Sequence, residues 1–150
     1  MPKMLIYLDT SVASAYFDDR DMSRMLATRA FWTRMDSYEA SISDLVIQEV
    51  RRTSDPLVRA TIEGLLRPLT VLIVDDEAAR LAEQYLRSGV FGPSSGIDAL
   101  HVATATVTRM DFVVSWNFRY MVKIQTVQRV NSVNLAQGYR TVDIRSPLEM

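Results

Sequence analysis

Cysteine is absent from the chain, and histidine occurs once, at His101. Without thiols there is no disulfide, no thiolate metal centre and no cysteine nucleophile. A single imidazole rules out a histidine-rich zinc site. No glycine-rich phosphate loop follows the first apolar run, which removes the nucleotide-binding classes that depend on one. No serine–histidine–acid arrangement can be placed either, because His101 sits within a small, apolar helical segment. A membrane-spanning run is also missing. The apolar stretch after Met1-Pro2-Lys3 ends at Asp9, and no other segment approaches the length needed to span a bilayer. A soluble, cytoplasmic protein with no membrane association is the expectation. A charge surplus is lacking too: 17 basic and 18 acidic residues give a formal net charge of -1. The overall balance therefore does not mark a nucleic-acid binder. Arginines do gather locally, at Arg20, Arg24, Arg29 and Arg34 and again at Arg51, Arg52, Arg59 and Arg67, which leaves room for basic patches.

What is present is a chain of 150 residues, 48% of them hydrophobic. That suits one domain burying about two thirds of its unfolded surface. Residues 5–8 read as a buried strand ending at Asp9. Helical spacing covers 23–37, a short strand covers 40–42, and Ser43 can cap the helix carrying Leu45, Val46, Glu49 and Val50. Asp55-Pro56 opens a helix to about Leu66. Residues 69–74 form a β-branched strand, and Asp75 or Asp76 caps a helix over 77–87 that ends at Ser88-Gly89. After the loop 92–96, a largely buried helix spans 97–108, followed by a strand at 112–115. Residues 118–137 carry helical turns, with a break expected near Asn131 or Asn134. Residues 139–144 alternate as a last strand. Strands alternating with helices predict an α/β fold: a three-layer α/β/α sandwich with a central, mainly parallel sheet. Such sheets bind ligands beyond the carboxyl ends of their strands.

Three carboxylates stand where polar groups are awkward. Asp9 closes the first apolar strand, Glu49 lies among Val46, Ile47 and Val50, and Asp98 opens the most buried helix. A carboxylate in such a place is costly unless it is hydrogen-bonded or bound to a cation. Together the three would repel one another, and a hard divalent ion such as Mg2+ or Mn2+, which prefers oxygen ligands, would relieve that repulsion. Such an ion can activate water and steady charge on a phosphate. Each residue also has a plainer reading. Asp9 could cap a helix starting at Thr10 or Ser11, Glu49 could face solvent, and Asp98 could be a first-turn residue favoured, and kept ionised, by the helix dipole.

Four motifs resemble those of the PIN-domain family, and within it the VapC-type toxins of toxin–antitoxin pairs. Ile6-Tyr7-Leu8-Asp9-Thr10-Ser11 looks like the family's first strand and metal-binding aspartate. Ile42-Ser43-Asp44-Leu45-Val46-Ile47-Gln48-Glu49-Val50 looks like the strand and helix that carry its glutamate. Ile97-Asp98-Ala99-Leu100-His101-Val102-Ala103-Thr104-Ala105 looks like the third acidic position and is the most specific of the four. Asp111-Phe112-Val113-Val114-Ser115-Trp116-Asn117-Phe118 looks like the last site strand and its turn. The resemblance runs over nearly the whole chain as a single domain. It implies Mg2+- or Mn2+-dependent cleavage of RNA, a homodimer, and a cognate antitoxin that silences the site. Where many relatives carry a fourth aspartate, this chain has Asn117, whose amide can offer a carbonyl oxygen but adds no charge.

On this reading Asp9, Asp98 and Glu49 hold the cation, Glu49 also orients water, and Asn117 is an outer ligand. Thr10 and Ser11 touch Asp9 or a phosphate, or simply cap a helix. Arg51, Arg52 and Arg119 are the candidate phosphate contacts. His101 reaches the substrate at the site edge or is a satisfied core residue. Trp116 and Phe118 stack on a base or pack beneath the site. Residues 120–150 suggest no role. Two functions compete: a metal-dependent ribonuclease, as the toxin of a type II pair, and a catalytically weak PIN-like module that binds RNA or protein. A receiver-type signalling domain also uses acids on an open sheet, but the acidic pair and the late lysine that it needs are missing.

Overall fold

The structure, a computed structural model, describes residues 2–150. Five strands form one sheet: β1 (Met4–Leu8), β2 (Tyr38–Ser43), β3 (Thr70–Leu72), β4 (Phe112–Val114) and β5 (Asp143–Arg145). Their order is β3-β2-β1-β4-β5, and all four pairings are parallel. Ile6, Tyr7 and Leu8 of β1 are fully buried, as expected of a central strand covered on both faces. Among the described residues seven α-helices complete the layers: α1 (Thr10–Ala15), α2 (Met22–Trp32), α3 (Asp44–Arg51), α4 (Pro56–Leu66), α5 (Asp76–Arg87), α6 (Gly96–Val107) and α7 (Ile124–Ala136). Helices α1 to α4 pack among themselves, as do α5 to α7. The expected α/β/α sandwich is thus the observed one. No helix among the described residues is long and apolar enough to cross a membrane.

The chain runs from β1 outward to β2 and β3, then returns to β4 beside β1 and ends at β5. The direction of travel reverses between β1 and β4. In open parallel sheets this switch point, at the carboxyl ends of the strands, is where a crevice forms. Asp9 directly follows β1 and Ser115 directly follows β4, so the two flank that crevice.

Several boundaries differ from those the sequence suggests, each because a side chain takes a backbone group there. The helix expected over 23–37 ends at Trp32, because the Thr33 hydroxyl and the Arg34 guanidinium donate to the Ala30 carbonyl. A separate 3-10 turn, Met35–Ser37, follows, and β2 begins at Tyr38. Strand β3 stops at Leu72, opposite Ser43 at the end of β2, and the Val74 N–H is taken by the Asp44 carboxylate at 3.1 Å. Of the two candidate caps for α5, Asp75 is the one that accepts a helix N–H, from Ala78.

The C-terminal stretch supplies α7 and β5. Helix α7 runs without a break through Asn131 and Asn134. The Asn131 amide accepts from the Val142 N–H at 2.9 Å and donates to the Val142 carbonyl at 2.8 Å. A side chain thereby occupies the backbone groups that a strand over 139–144 would use, and β5 starts one residue later. Asn134, fully buried, accepts from the Tyr85 hydroxyl and donates to Thr106 and Asn131. This polar cluster joins α5, α6 and α7.

Replacing Asn131 by Ala leaves both polar groups of the buried Val142 without partners. A loss of about 2 kcal/mol is expected for an orphaned buried pair. It should appear in urea unfolding as a lower midpoint with an unchanged slope.

Candidate active site

Asp9 extends β1 by one step, its N–H donating to the Val114 carbonyl, and then caps α1. One carboxylate oxygen, Oδ1, accepts from the N–H and the hydroxyl of Ser11. The other, Oδ2, accepts from the Ser115 hydroxyl. Each serine oxygen in turn accepts a backbone N–H: Ser11 from Trp116 at 2.9 Å, and Ser115 from Asn117 at 3.0 Å. The capping reading and the site reading of Asp9 therefore both hold. The carboxylate that starts α1 also ties down the turn after β4.

From that turn, Asn117 Nδ2 donates to Asp98 Oδ2 at 3.2 Å, and its Oδ1 accepts the Tyr120 N–H at 3.0 Å. Asp98 is half-buried in the first turn of α6. One helical turn later His101 is only 2% exposed. Its Nε2 lies 2.7 Å from Glu49 Oε1, and its Nδ1 lies 2.6 Å from the Tyr7 hydroxyl, which also contacts the Ser43 hydroxyl at 2.8 Å. The same Glu49 oxygen accepts from the Thr10 hydroxyl at 2.7 Å. Two runs of contacts result, Asp9–Ser115–Asn117–Asp98 and Thr10–Glu49–His101–Tyr7–Ser43, and the chain itself, from Asp9 to Thr10 and along α6 from Asp98 to His101, joins them into a circuit.

The three acids respond differently. Burial pushes the Asp9 carboxyl above the ordinary aspartate range, against the pull of His101 and the serine donors. Burial, followed by the charge of Asp9, also raises Asp98. The pull of the helix dipole toward the ionised form, worth at most ~2 kcal/mol, is outweighed in direction by burial and by Asp9. Burial pushes Glu49 upward as well, but hydrogen bonds from His101 and Thr10 and the charges of His101 and Arg52 bring it below the usual glutamate range.

The structure narrows the alternatives left open for single residues. His101 is a buried residue bonded to the site glutamate, which is the core reading. Thr10 bonds Glu49 rather than Asp9, and both the Thr10 and Ser11 hydroxyls are spent inside the circuit rather than left for a phosphate. Trp116 is buried and donates its Nε1 to Thr28 at 2.8 Å, so it packs instead of stacking on a base. Phe118 is 44% exposed and does not pack beneath the site. Of the arginines, Arg52 is near enough to act on Glu49. Arg51 lies instead along a groove with Ile42, Val50 and Leu66. Arg119 is exposed, stacked on Tyr120 three residues beyond Asn117. Sequence reasoning missed Ser115 and Tyr7. Ser115 had a signal, being a polar residue ending an apolar strand as Asp9 does. Tyr7 had none.

The donor set answers the question of a cation only in part. Asp9 and Asp98 keep oxygen lone pairs that a hard ion could use. Oε1 of Glu49 is committed to His101 and Thr10, Asn117 adds no charge, and among the described residues no three His, Cys, Asp or Glu side chains are grouped to hold a metal ion. As it stands, the site offers a pair of carboxylates rather than a cage.

The PIN domain family model matches residues 6–120, which span every element of this circuit. The chain belongs to the PIN domain family. The PIN match stops short of α7 and β5. Among solved structures, VapC20 of Mycobacterium tuberculosis, described as a sarcin-ricin loop cleaving toxin, superposes with a TM-score of 0.62 at 17% identity, covering 77% of this chain and 92% of that one. FitAcB from Neisseria gonorrhoeae gives a TM-score of 0.62 at 16% identity, covering 97% of this chain and 100% of that one. At such identities the likeness establishes a shared fold, and with FitAcB it extends through the C-terminal helix and strand. A comparison with curated proteins finds no match.

Converting Asp98 to Asn keeps an acceptor for Asn117 and removes the repulsion from Asp9. Thermal melts at neutral pH should show a gain of about 0.5–1 kcal/mol, the range of a relieved, partly exposed charge at a functional site. The raised Asp98 pKa sets the sign with pH: the cost of ionisation is present above the folded pKa and disappears as pH falls below it. The advantage of Asp98→Asn should therefore shrink on acidification through the raised aspartate range.

Proposed function

We propose that this PIN domain is a catalytically weak module that binds RNA at the crevice between β1 and β4, as one member of a toxin–antitoxin-type pair. The observation that carries this reading is that, among the described residues, no three His, Cys, Asp or Glu side chains are grouped to hold a metal ion, with Glu49 Oε1 already taken by His101 and Thr10. Asn117 adds a neutral amide where strong hydrolysis would call for a denser set of charges. Single-stranded or loop RNA is the proposed substrate class, since its backbone can follow a crevice while exposed arginines such as Arg52 and Arg119 collect phosphates. VapC20, which shares the fold, is described as a sarcin-ricin loop cleaving toxin. A protein partner of antitoxin type would cover the same crevice, and self-association as a dimer belongs to the same proposal.

A second reading, a Mg2+- or Mn2+-dependent ribonuclease, is favoured by one observation: the charges of Asp9 and Glu49 both raise the Asp98 carboxyl, so the three acids lie within electrostatic reach of one another. In that reading Asp9 and Asp98 hold the ion with Glu49 beside them, and the bound ion supplies an activated water and charge neutralisation at phosphorus.

Mixed RNA separates the two. Binding followed by fluorescence anisotropy, in EDTA, should persist in the parent and weaken when Arg52 and Arg119 are both changed to Ala, by about threefold to tenfold for two lost phosphate contacts. Cleavage with Mn2+ should be slight. Rapid cleavage that Asp9→Asn and Asp98→Asn each abolish would overturn the weak-module reading in favour of the nuclease. Absence of any RNA binding would overturn both.

A further inference from the structure

Among the described residues only two aromatic side chains are exposed, Phe118 and Tyr120, and both lie in the turn that follows Asn117. The Arg119 guanidinium already stands over the Tyr120 ring, 5.1 Å from its centre. Phe118 is held in place without being buried. Its ring centre is 6.0 Å from that of Trp116, with the two planes inclined at 69°. Trp116 is itself pinned at two points, its backbone N–H on the Ser11 hydroxyl and its Nε1 on Thr28. An aromatic face on so fixed a support loses little freedom when a second ring settles on it.

Phe118 also lines a cavity of about 440 Å³ between the start of α7, strand β5 and the C-terminal turn. That is within the ~300–1,000 Å³ of small-molecule sites. Val122, Val127 and Ile144 add apolar lining. The charged lining balances, Lys123 and Arg145 against Asp143 and Glu149. Arg145 Nε donates to Asp143 at 2.8 Å, and Glu149 Oε1 accepts the Ser146 N–H at 3.1 Å. A balanced rim does not select a phosphate. It suits a flat, uncharged ring, whose faces meet Phe118 and the aliphatic lining while its polar edge meets the rim.

We propose that this cavity takes one unpaired nucleobase, stacked on Phe118, from the strand bound at the crevice between β1 and β4. Phe118 and Asn117 are consecutive, so a strand that touches Asn117 brings a neighbouring base to the cavity. The course of the strand rests on the module reading above; the base pocket stands on its own lining. The rival is an ordinary exposed side chain, which a surface tolerates without consequence.

The test uses short, unstructured RNAs, each lacking the base at one position, with binding followed by fluorescence anisotropy in EDTA. The parent should lose about tenfold in affinity at one position and little elsewhere, the scale of one base stacked on an aromatic ring. Phe118→Ala should bind the intact RNA about tenfold more weakly and be indifferent to the missing base at that position. Phe118→Tyr should restore both properties, and Phe118→Leu should restore neither. A parent that binds RNA but has no sensitive position would overturn the proposal. So would a Phe118→Ala form that keeps the parent's sensitivity, or a Phe118→Leu form that matches the parent. If the parent binds no RNA, the module reading fails and adenosine 5′-monophosphate decides the pocket. Saturation-transfer NMR should then show base signals with the parent that Phe118→Ala removes; no signals, or signals that persist in Phe118→Ala, would overturn the proposal.

Discussion

The carboxylate of Asp9 is the constraint on which the rest of the site depends. It is 5% exposed and sits at the end of the central strand, where an unpaired charge would cost several kcal/mol. The structure meets that demand with two serines and one backbone N–H. Because one serine lies on α1 and the other ends β4, satisfying the charge also fastens two strands and a helix at the switch point. The hydroxyls are used twice, donating to Asp9 and accepting from the backbone of Trp116 and Asn117. That places the Asn117 amide against Asp98. The position of the fourth site residue thus follows from how the first is neutralised.

The electrostatics of the site are uneven by construction. Asp9 and Asp98 are both pushed toward their protonated forms, while Glu49 is held ionised by a histidine and a threonine. Burial decides the direction at Asp9 and Asp98, and hydrogen-bond donors and nearby positive charge decide it at Glu49. The C-terminal helix and strand, outside the matched PIN region, extend the sheet beyond β4, and β5 covers one edge of the strand whose end carries Ser115.

Much of the fold was legible in the residue pattern. The strand ending at Asp9, the cap at Asp55-Pro56 and the stop at Ser88-Gly89 rest on local chemistry, and they appear where that chemistry puts them. Two of the misplacements, at β3 and β5, share one cause: a side chain distant in sequence took the backbone groups that a local rule had assigned elsewhere. Asn131 lies 11 residues from Val142, and Asp44 lies 30 residues from Val74. Hydrophobic periodicity carries no information about such partners. In the site, Asp9, Glu49 and Asp98 stood out as acids in apolar settings. Tyr7 looked like one more core residue, because a hydroxyl inside an apolar strand gives no hint of what it faces.

The sequence by itself determined the class of the molecule: an alternation of strands and helices that must stack as a parallel sheet between helical layers, with acids at the ends of buried elements. It did so because periodicity, caps and turns are encoded over a few residues. Only the tertiary structure decided which donor each acid meets. Glu49 and His101 are 52 residues apart, and Asp9 and Ser115 are 106 apart. A hydrogen bond depends on angles and on distances of a few tenths of an ångström, and these exist only once the sheet order has brought the strand ends together.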